Sequence, residues 1–504
     1  MYNVLTDTDS YKYSHFLQYP PDTTHISSYI AARRAETVFF GLQALLLEHW
    51  SRPITHADVD EAMTLVGHGL PLNEAGFRRI VDEHNGYLPL RVEALPEGTV
   101  APAGTPLVQV VNTDPAMPWV TSFAETALLR IWYPTSVATR SFRARQIIHQ
   151  AFEMTSDAPI SEELLKLHDF GARGASSEES ARIGGCAHLT CFRGTDTVPA
   201  LLHARRYYAE RMAGYSIPAA EHSTITSWGR EGETEACRNM LLQFGGPGRI
   251  LAVVSDSYDL FSAVRNIWGG ALKAEVQNSG GTVVIRPDSG DPAVVPVETV
   301  QLLGEIFGTT INGKGYRVLD PCVRVVQGDG IDVEMIRIIL RNLAAHGYSA
   351  ENFAFGMGGA LLQRVDRDTF GFAMKASARR DSKGNWHDVY KDPVTDPGKR
   401  SLRGRLAVVE ENGQFLTVRQ EALFGRRNLL RPVWECGKLL ERDSFTGIRQ
   451  RIDFALAGPG RQNPGSQPAE RASGSDPGHL AQGAPLLREI RYRAELCSTA
   501  HAMA

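Results

Sequence analysis

Residues 282–291 read TVVIRPDSGD. The run opens on Val283, Val284 and Ile285, β-branched residues that predict a buried strand. It then turns polar at Arg286, Pro287 and Asp288. Pro287 ends a ladder and Ser289–Gly290 is turn chemistry, so a guanidinium and a carboxylate are held at the tip of a rigid strand. Alone, the pair reads as a structural Arg–Asp closure of the strand. Repetition changes that weighing. Further polar or glycine-rich strand ends stand at 168–173 (HDFGAR), 194–197 (GTDT), 221–223 (EHS), 255–259 (SDSYD), 328–330 (GDG) and 356–359 (GMGG). Most are roughly 25–40 residues apart, the rhythm of repeated βα units. The natural closure is an αβ barrel with its functional groups at the carboxyl ends of the strands. A doubly wound open sheet is the competing architecture until a strand order is known.

Outside this stretch the pattern differs. Residues 1–125 mix a strand (26–31), a helical spacing (37–50) and short strands around Pro–Gly breakers (87–111). Residues 365–455 are again strand-rich and basic, and are expected to complete the same sheet as a discontinuous α/β sandwich domain. That leaves 126–364 for the barrel, with helices expected at 127–132 and 141–155. Residues 456–504 are rich in Pro, Gly, Ser and Gln, a composition expected to be mostly disordered, with a short helix at 486–497.

The 504 residues predict two or more domains, and 43% hydrophobic with 22% charged residues is ordinary globular composition. A net charge of −4 argues against a nucleic-acid partner. The six cysteines are scattered without a CxxC pair, which fits a reducing compartment. Cys186 and Cys191 flank His188 in a run that reads as strand packing. No signal peptide or membrane-length apolar stretch is seen, so a cytoplasmic location is expected.

GTTINGK (308–314) spells GxxxxGK, but Gly315 follows where a P-loop needs Ser or Thr, and the Asn312–Gly313 turn explains it better. GDG and GMGG each follow an apolar strand. Glycines there let backbone N–H groups approach an anion, and two such loops late in a barrel favour a phosphate site. His222 shares the expected rim with Asp196, Asp256, Asp288 and Arg286. Arg367, Lys375, Lys391, Lys399, Arg400, Arg403 and Arg405 form a loose basic series that would suit a polyphosphate leaving group.

Several of these stretches are long and specific: TDSYK (8–12), FGLQ (40–43), KLHDFGARG (166–174), GTDT (194–197), PAAEHSTIT (218–226), VVSDSYD (253–259), IRPDSGDP (285–292), VVQGDGID (325–332), FGMGGALLQ (355–363) and KDPVTDPGKRSLRGRL (391–406). In this order they resemble the nicotinamide phosphoribosyltransferases, of the pyridine phosphoribosyltransferase family, over roughly residues 5–450. The resemblance implies an irregular αβ barrel beside an α/β sandwich, working as a homodimer with shared active sites. The implied reaction joins nicotinamide to phosphoribosyl pyrophosphate, with ATP as co-substrate phosphorylating His222 and with Mg²⁺ held through water near Asp256 and Asp288. Phe170 and Tyr11, the latter from the partner, would wall the pyridine, with Arg173 near it and Asp196 accepting from its carboxamide. Gly328, Asp329, Gly358 and Gly359 would cradle ribose and 5′-phosphate. Arg33, Arg367, Lys375, Lys391 and Lys399 would clamp pyrophosphate. The loop GMGGA departs from the family in Met357 and Ala360. The alternatives are a nicotinate-using sibling, opposed mainly by Asp196, a non-catalytic nucleotide-binding or signalling protein on the same scaffold, and a barrel lyase acting on a phosphorylated sugar.

Overall fold

The computed structural model describes residues 2–395 and 400–458. The expected tail therefore lies, from residue 459 on, outside the described residues, as do its predicted helix at 486–497 and Lys399.

A parallel six-stranded sheet forms one half of the molecule. Its neighbours in space run Gly194–Thr195, Leu167–Asp169, Phe353–Met357, Val323–Gln327, Thr282–Arg286, Ile250–Val254. The two edges do not stay open. Tyr215 bridges to Gly194 on one side, and Ala219 bridges to Ala252 on the other. The hydrogen bonds alternate as a ladder requires: Tyr215 N to Arg193 O (2.7 Å) and Thr195 N to Tyr215 O (3.0 Å), then Ala252 N to Pro218 O and Ala220 N to Ala252 O (both 2.9 Å). The extended stretch 215–220 is thus a seventh stave, and the sheet closes into an irregular barrel in chain order. The open doubly wound alternative is excluded by this closure.

Alternation of the pleat decides what faces where. Val283, Ile285, Val323, Val325, Phe353 and Phe355 face the outer layer of helices and share one large core with them. Ala252, Val284 and Val326 face inward and pack with Ile217, Ile250 and Ala354 as a separate small cluster. Burying each large branched side chain in the outer core contributes about 2 kcal/mol. The helix Trp132–Thr155 lies on that outer core through Val137, Phe142, Ile148 and Phe152, and starts nine residues earlier than its sequence spacing predicts.

The other half is a seven-stranded antiparallel sheet built from Thr23–Ala31, Leu90–Ala94, Val108–Asn112, Ala373–Asp381, Trp386–Asp388, Arg431–Glu435 and Lys438–Leu439. The helices His56–Met63, Glu74–Glu83 and Val120–Phe123 cover it with Val59, Phe77, Ile80 and Phe123. Strands from both ends of the chain meet in this sheet. The last helix, Phe445–Leu456, instead sends Phe445, Ile448 and Ile452 into the barrel's core.

Two local expectations are corrected. Residues 37–50 do not form one helix: Thr37–Val38 pairs as a strand with Val100–Ala101, and the helical part starts at Leu42 after Gly41 takes a left-handed turn (φ 101°). The run around Cys186 is helix, Glu178–His188, not strand. Ser177 caps it by accepting from Ser180 N, and Gly184–Gly185 is there for close approach: a Cβ on Gly184 would lie 2.4 Å from Tyr133 Oη.

Glu97 joins the two halves. Its carboxylate is buried and accepts from Gln43 N (2.6 Å) and Tyr208 Oη (2.8 Å), while its main chain bonds Asp443 and Arg451. Burial, with Asp443 nearby, pushes its pKa from 4.5 up to about 7. A raised carboxyl pKa means the folded state holds the proton more tightly than the unfolded chain does. Stability is therefore expected to fall as pH rises through the window from 4.5 to about 7. Melting temperatures measured across that window should decline for the parent and run flatter for Glu97→Gln.

Candidate active site

The carboxyl ends of all seven staves open on one side of the barrel, and the seven polar strand ends read from the sequence are those ends. The 282–291 stretch behaves as a clamp. Arg286 donates to both oxygens of Asp288, Nε to Oδ1 at 3.1 Å and Nη2 to Oδ2 at 2.7 Å, a bidentate pair. His222, first residue of the short helix that follows the closing stave, places Nε2 3.0 Å from Asp256 Oδ1 and Nδ1 4.0 Å from Asp288 Oδ2. The imidazole is half exposed (46%) while Asp256 is buried (4%), so the carboxylate orients a ring whose edge is open to solvent. Trp268 Nε1 donates to Ser255 Oγ at 3.0 Å and Ser255 N to Arg286 O at 3.1 Å, which fixes the strand end carrying Asp256.

Phe170 is half-buried in the mouth and packs over two neighbouring staves. A Cβ on Gly356 would come within 1.9 Å of its Cε2, and one on Gly328 within 3.3 Å. Both glycines are therefore room for this ring. Arg286 Cζ lies 5.9 Å from the ring centroid. Gly358 and Gly359 are different. Neither has a positive φ, a Cβ on Gly358 would meet only Phe170 O at 3.8 Å, and one on Gly359 would meet nothing within 4 Å. Packing does not demand glycine at either position, which leaves room for a ligand to approach the main chain.

Asp196 is exposed at the next strand end and accepts a hydrogen bond from Ser216 Oγ. The two open on a cavity of about 440 Å³ walled by Val198, Leu201, Met212 and Tyr215. Behind them sits Asp169, fully buried. Its Oδ1 accepts from Gly171 N (2.7 Å), its main-chain oxygen accepts from Asp196 N (2.9 Å), and its Oδ2 has no partner among the described residues. Burial lifts this carboxyl to about 6. Asp169 thus couples the loop that carries Phe170 to the one that carries Asp196. Sequence reasoning passed over Asp169, Ser216 and Gly356. A strand-end acid one residue before an aromatic is too common a pattern to have singled out Asp169.

The barrel mouth therefore links Asp256, His222, Asp288, Arg286 and Phe170 in a chain of neighbours, with Asp196, Gly328 and Gly358 on adjoining strand ends. Asp329 is exposed on the Gly328–Gly330 turn, its carbonyl accepting from Gln327 Nε2 at 2.9 Å. Arg173 is exposed on the turn Ala172–Gly174 and pairs with no group among the described residues. Other predicted residues lie elsewhere in this chain. Lys375 is on the antiparallel sheet, and burial together with Arg33, Lys391 and Arg367 holds its pKa below the ordinary value, so these four cations form one patch. None of them hydrogen-bonds or ion-pairs with a group at the barrel mouth among the described residues. Tyr11 is 55% exposed, stacked edge-on with His15, and makes no ring contact with Phe170.

Among the described residues no three His, Cys, Asp or Glu side chains gather to ligate a metal ion directly. No helix among them is long and apolar enough to cross a membrane.

A model of the nicotinate phosphoribosyltransferase (NAPRTase) family matches residues 165–434, and one of the nicotinamide phosphoribosyltransferase N-terminal domain matches residues 3–92. Over 463 residues the chain is 52% identical to a nicotinamide phosphoribosyltransferase of Xanthomonas campestris pv. campestris, covering 90% of this chain and 98% of the relative. It is 34% identical over 496 residues to a nicotinamide phosphoribosyltransferase of Acinetobacter baylyi, covering 89% and 97%. The fold is shared with a nicotinate-nucleotide pyrophosphorylase from Pyrococcus furiosus (TM-score 0.55, 17% identity, 90% and 96% covered). It is shared equally with human nicotinic acid phosphoribosyltransferase (TM-score 0.55, 19% identity, 89% and 93% covered).

Proposed function

Since the chain belongs to the nicotinamide phosphoribosyltransferases, within the wider nicotinate phosphoribosyltransferase family, we propose that it transfers phosphoribosyl from phosphoribosyl pyrophosphate to nicotinamide. The products are nicotinamide mononucleotide and pyrophosphate, a step of NAD salvage. The observation that carries the reading is the mouth itself: one aromatic wall, one carboxylate acceptor and one unfilled glycine cradle on adjoining strand ends.

A flat heteroaromatic ring stacks on Phe170. Asp196, held by Ser216, accepts from the carboxamide N–H₂, and its charge opposes a nicotinate carboxylate. The pyridine nitrogen is thereby aimed at the anomeric carbon of a sugar whose 5′-phosphate rests on the main chain at Gly358, Gly359 and Gly328–Asp329. As the glycosidic bond to pyrophosphate breaks, positive charge grows on the ribose and negative charge on the leaving group. Asp288, fixed by Arg286, faces the first, and cations face the second.

The carboxylates at hand suit magnesium held through water, not directly. Asp256 is engaged by His222 and both oxygens of Asp288 by Arg286, while hard oxygen donors of this kind match an ion that keeps several waters. When bound with the pyrophosphate, Mg²⁺ supplies neutralisation of the leaving group. Arg33, Arg367, Lys375 and Lys391 form their patch without pairing with the mouth of their own barrel among the described residues, and Tyr11 stands exposed. A second copy that brings this patch and Tyr11 to the mouth completes the site, so the working unit is a homodimer.

His222 is the group that ATP phosphorylates. An imidazole nitrogen is a competent nucleophile toward phosphorus, and Asp256 orients the ring through Nε2, as the third group of a triad does. His222→Ala is expected to lose ATP-driven enhancement and label transfer from γ-labelled ATP while keeping slow basal transfer. Normal ATP coupling in that variant contradicts the assignment.

The direct test is purified protein with phosphoribosyl pyrophosphate and either nicotinamide or nicotinate, with and without ATP. Nicotinamide mononucleotide is the expected product, and nicotinate a poor substrate. Preference for nicotinate would move the chain to the sibling activity.

A further inference from the structure

Arg140 belongs to the helix Trp132–Thr155, outside the barrel, and supplies nothing to the mouth. Its guanidinium reaches the short helix Gly359–Leu362. One Nη donates to the carbonyl of Ala360, and the other to the carbonyl of Arg364 at 2.5 Å. A helix of four residues leaves its own last carbonyls unsatisfied, and a cation at that end both caps them and complements their partial negative charge. The Arg364 side chain in turn stands 3.7 Å from Asp332, which caps the helix Val333–Ala345 by accepting from Met335 N at 2.9 Å. Asp332 closely follows the Gly328–Gly330 turn. One guanidinium behind the barrel wall therefore holds the segment leaving Gly358–Gly359 and, through Arg364, ties it to the segment leaving Gly328–Gly330.

Among the described residues nothing stands within 4 Å of where a Cβ on Gly359 would be. The Ala172–Gly174 turn packs beside its main chain, where a Cβ on Gly174 would come within 3.1 Å of Gly359 Cα, and Arg140 is the charged group that holds the segment just beyond it. We propose that Arg140 is a positioning residue for phosphoribosyl pyrophosphate, holding the Gly358–Gly359 main chain in the geometry that receives the 5′-phosphate. This rests on the reading of that loop as the phosphate cradle, and the test separates the two.

In the full-length enzyme, Arg140→Met is expected to raise KM for phosphoribosyl pyrophosphate about tenfold, since a displacement of about 1 Å far from the chemistry costs up to ~100-fold. KM for nicotinamide should stay within about twofold and the melting temperature close to that of the parent. Arg140→Lys, which can reach one carbonyl, should fall between, and added guanidinium should restore much of the loss in Arg140→Met. If Arg140→Met does not accumulate as folded protein, Arg140→Lys must show the same selective rise. Gly359→Val, which fills the cradle directly, is the control for the underlying reading. An unchanged KM in Gly359→Val overturns the cradle and the proposal with it. A raised KM there beside a parental value in Arg140→Met overturns the role of Arg140 alone. Equal rises in both KM values together with a lower melting temperature also overturn it, because a merely structural contact behaves that way.

Discussion

Asp196→Ala should lower kcat/KM for nicotinamide on the order of 100-fold while phosphoribosyl pyrophosphate still binds measurably, because a hydrogen bond to a charged acceptor is worth about 1.5–3 kcal/mol. The exposed carboxylate has no packing role that its removal would disturb, and its partner Ser216 is itself exposed. The loss should therefore fall on one substrate. Isothermal titration with phosphoribosyl pyrophosphate beside steady-state kinetics with nicotinamide reads both. Equal loss for the two substrates would place Asp196 in general architecture instead. The same variant removes the charge that opposes nicotinate, so the ratio of amide to acid use should narrow.

Gly356→Val is expected to do comparable or greater damage by a different route. A Cβ at this position would sit 1.9 Å from Cε2 and 2.0 Å from Cδ2 of Phe170, so the ring cannot stay where it is. Gly356 lies inside a stave, between hydrogen-bonded neighbours, so the backbone cannot yield cheaply. The overpacking costs about 1–3 kcal/mol of stability, which a domain of this size tolerates. Displacing the ring by more than an ångström should nevertheless reduce nicotinamide turnover by on the order of 100-fold. The check is the kinetic loss in protein that still melts cooperatively, at a temperature lowered by only several degrees. Full activity in Gly356→Val would mean that Phe170 does not wall the pyridine.

The barrel was legible because each stave ends the same way. Val283–Ile285 is a β-branched run and Val323–Val326 is one but for Arg324, and each strand gives way to residues that turn the chain. The stave at 215–220 carried a weaker signal. Ser216, Pro218 and two alanines have little strand character, and its pairing is short, two bridges in all. The His222 that follows it was still found, since a histidine beside an acid after a short apolar run is itself a signal. The helix Glu178–His188 was hidden by Gly184–Gly185, a pair that sequence reads as a break and that tertiary packing against Tyr133 and Ala200 demands.

Site residues divide in the same way. Asp256, Asp288 and Arg286 could be found because their loops announce themselves in sequence. Asp169 could not, since a buried carboxylate bridging two loops looks like any other strand-end acid. Arg140 could not either: its partners, the carbonyls of Ala360 and Arg364, are 220 and 224 residues away and carry no side-chain signal. Main-chain acceptors are invisible to motif reading because every residue offers one.

The measurement that bears most directly on the shared mouth is a crystal structure of the enzyme with nicotinamide mononucleotide. The pyridine should lie on Phe170, the carboxamide should reach Asp196, and the 5′-phosphate should rest on the main chain of Gly358 and Gly359. A nucleotide bound with its ring away from Phe170, or with its phosphate on the far side of the barrel from those glycines, would contradict the account.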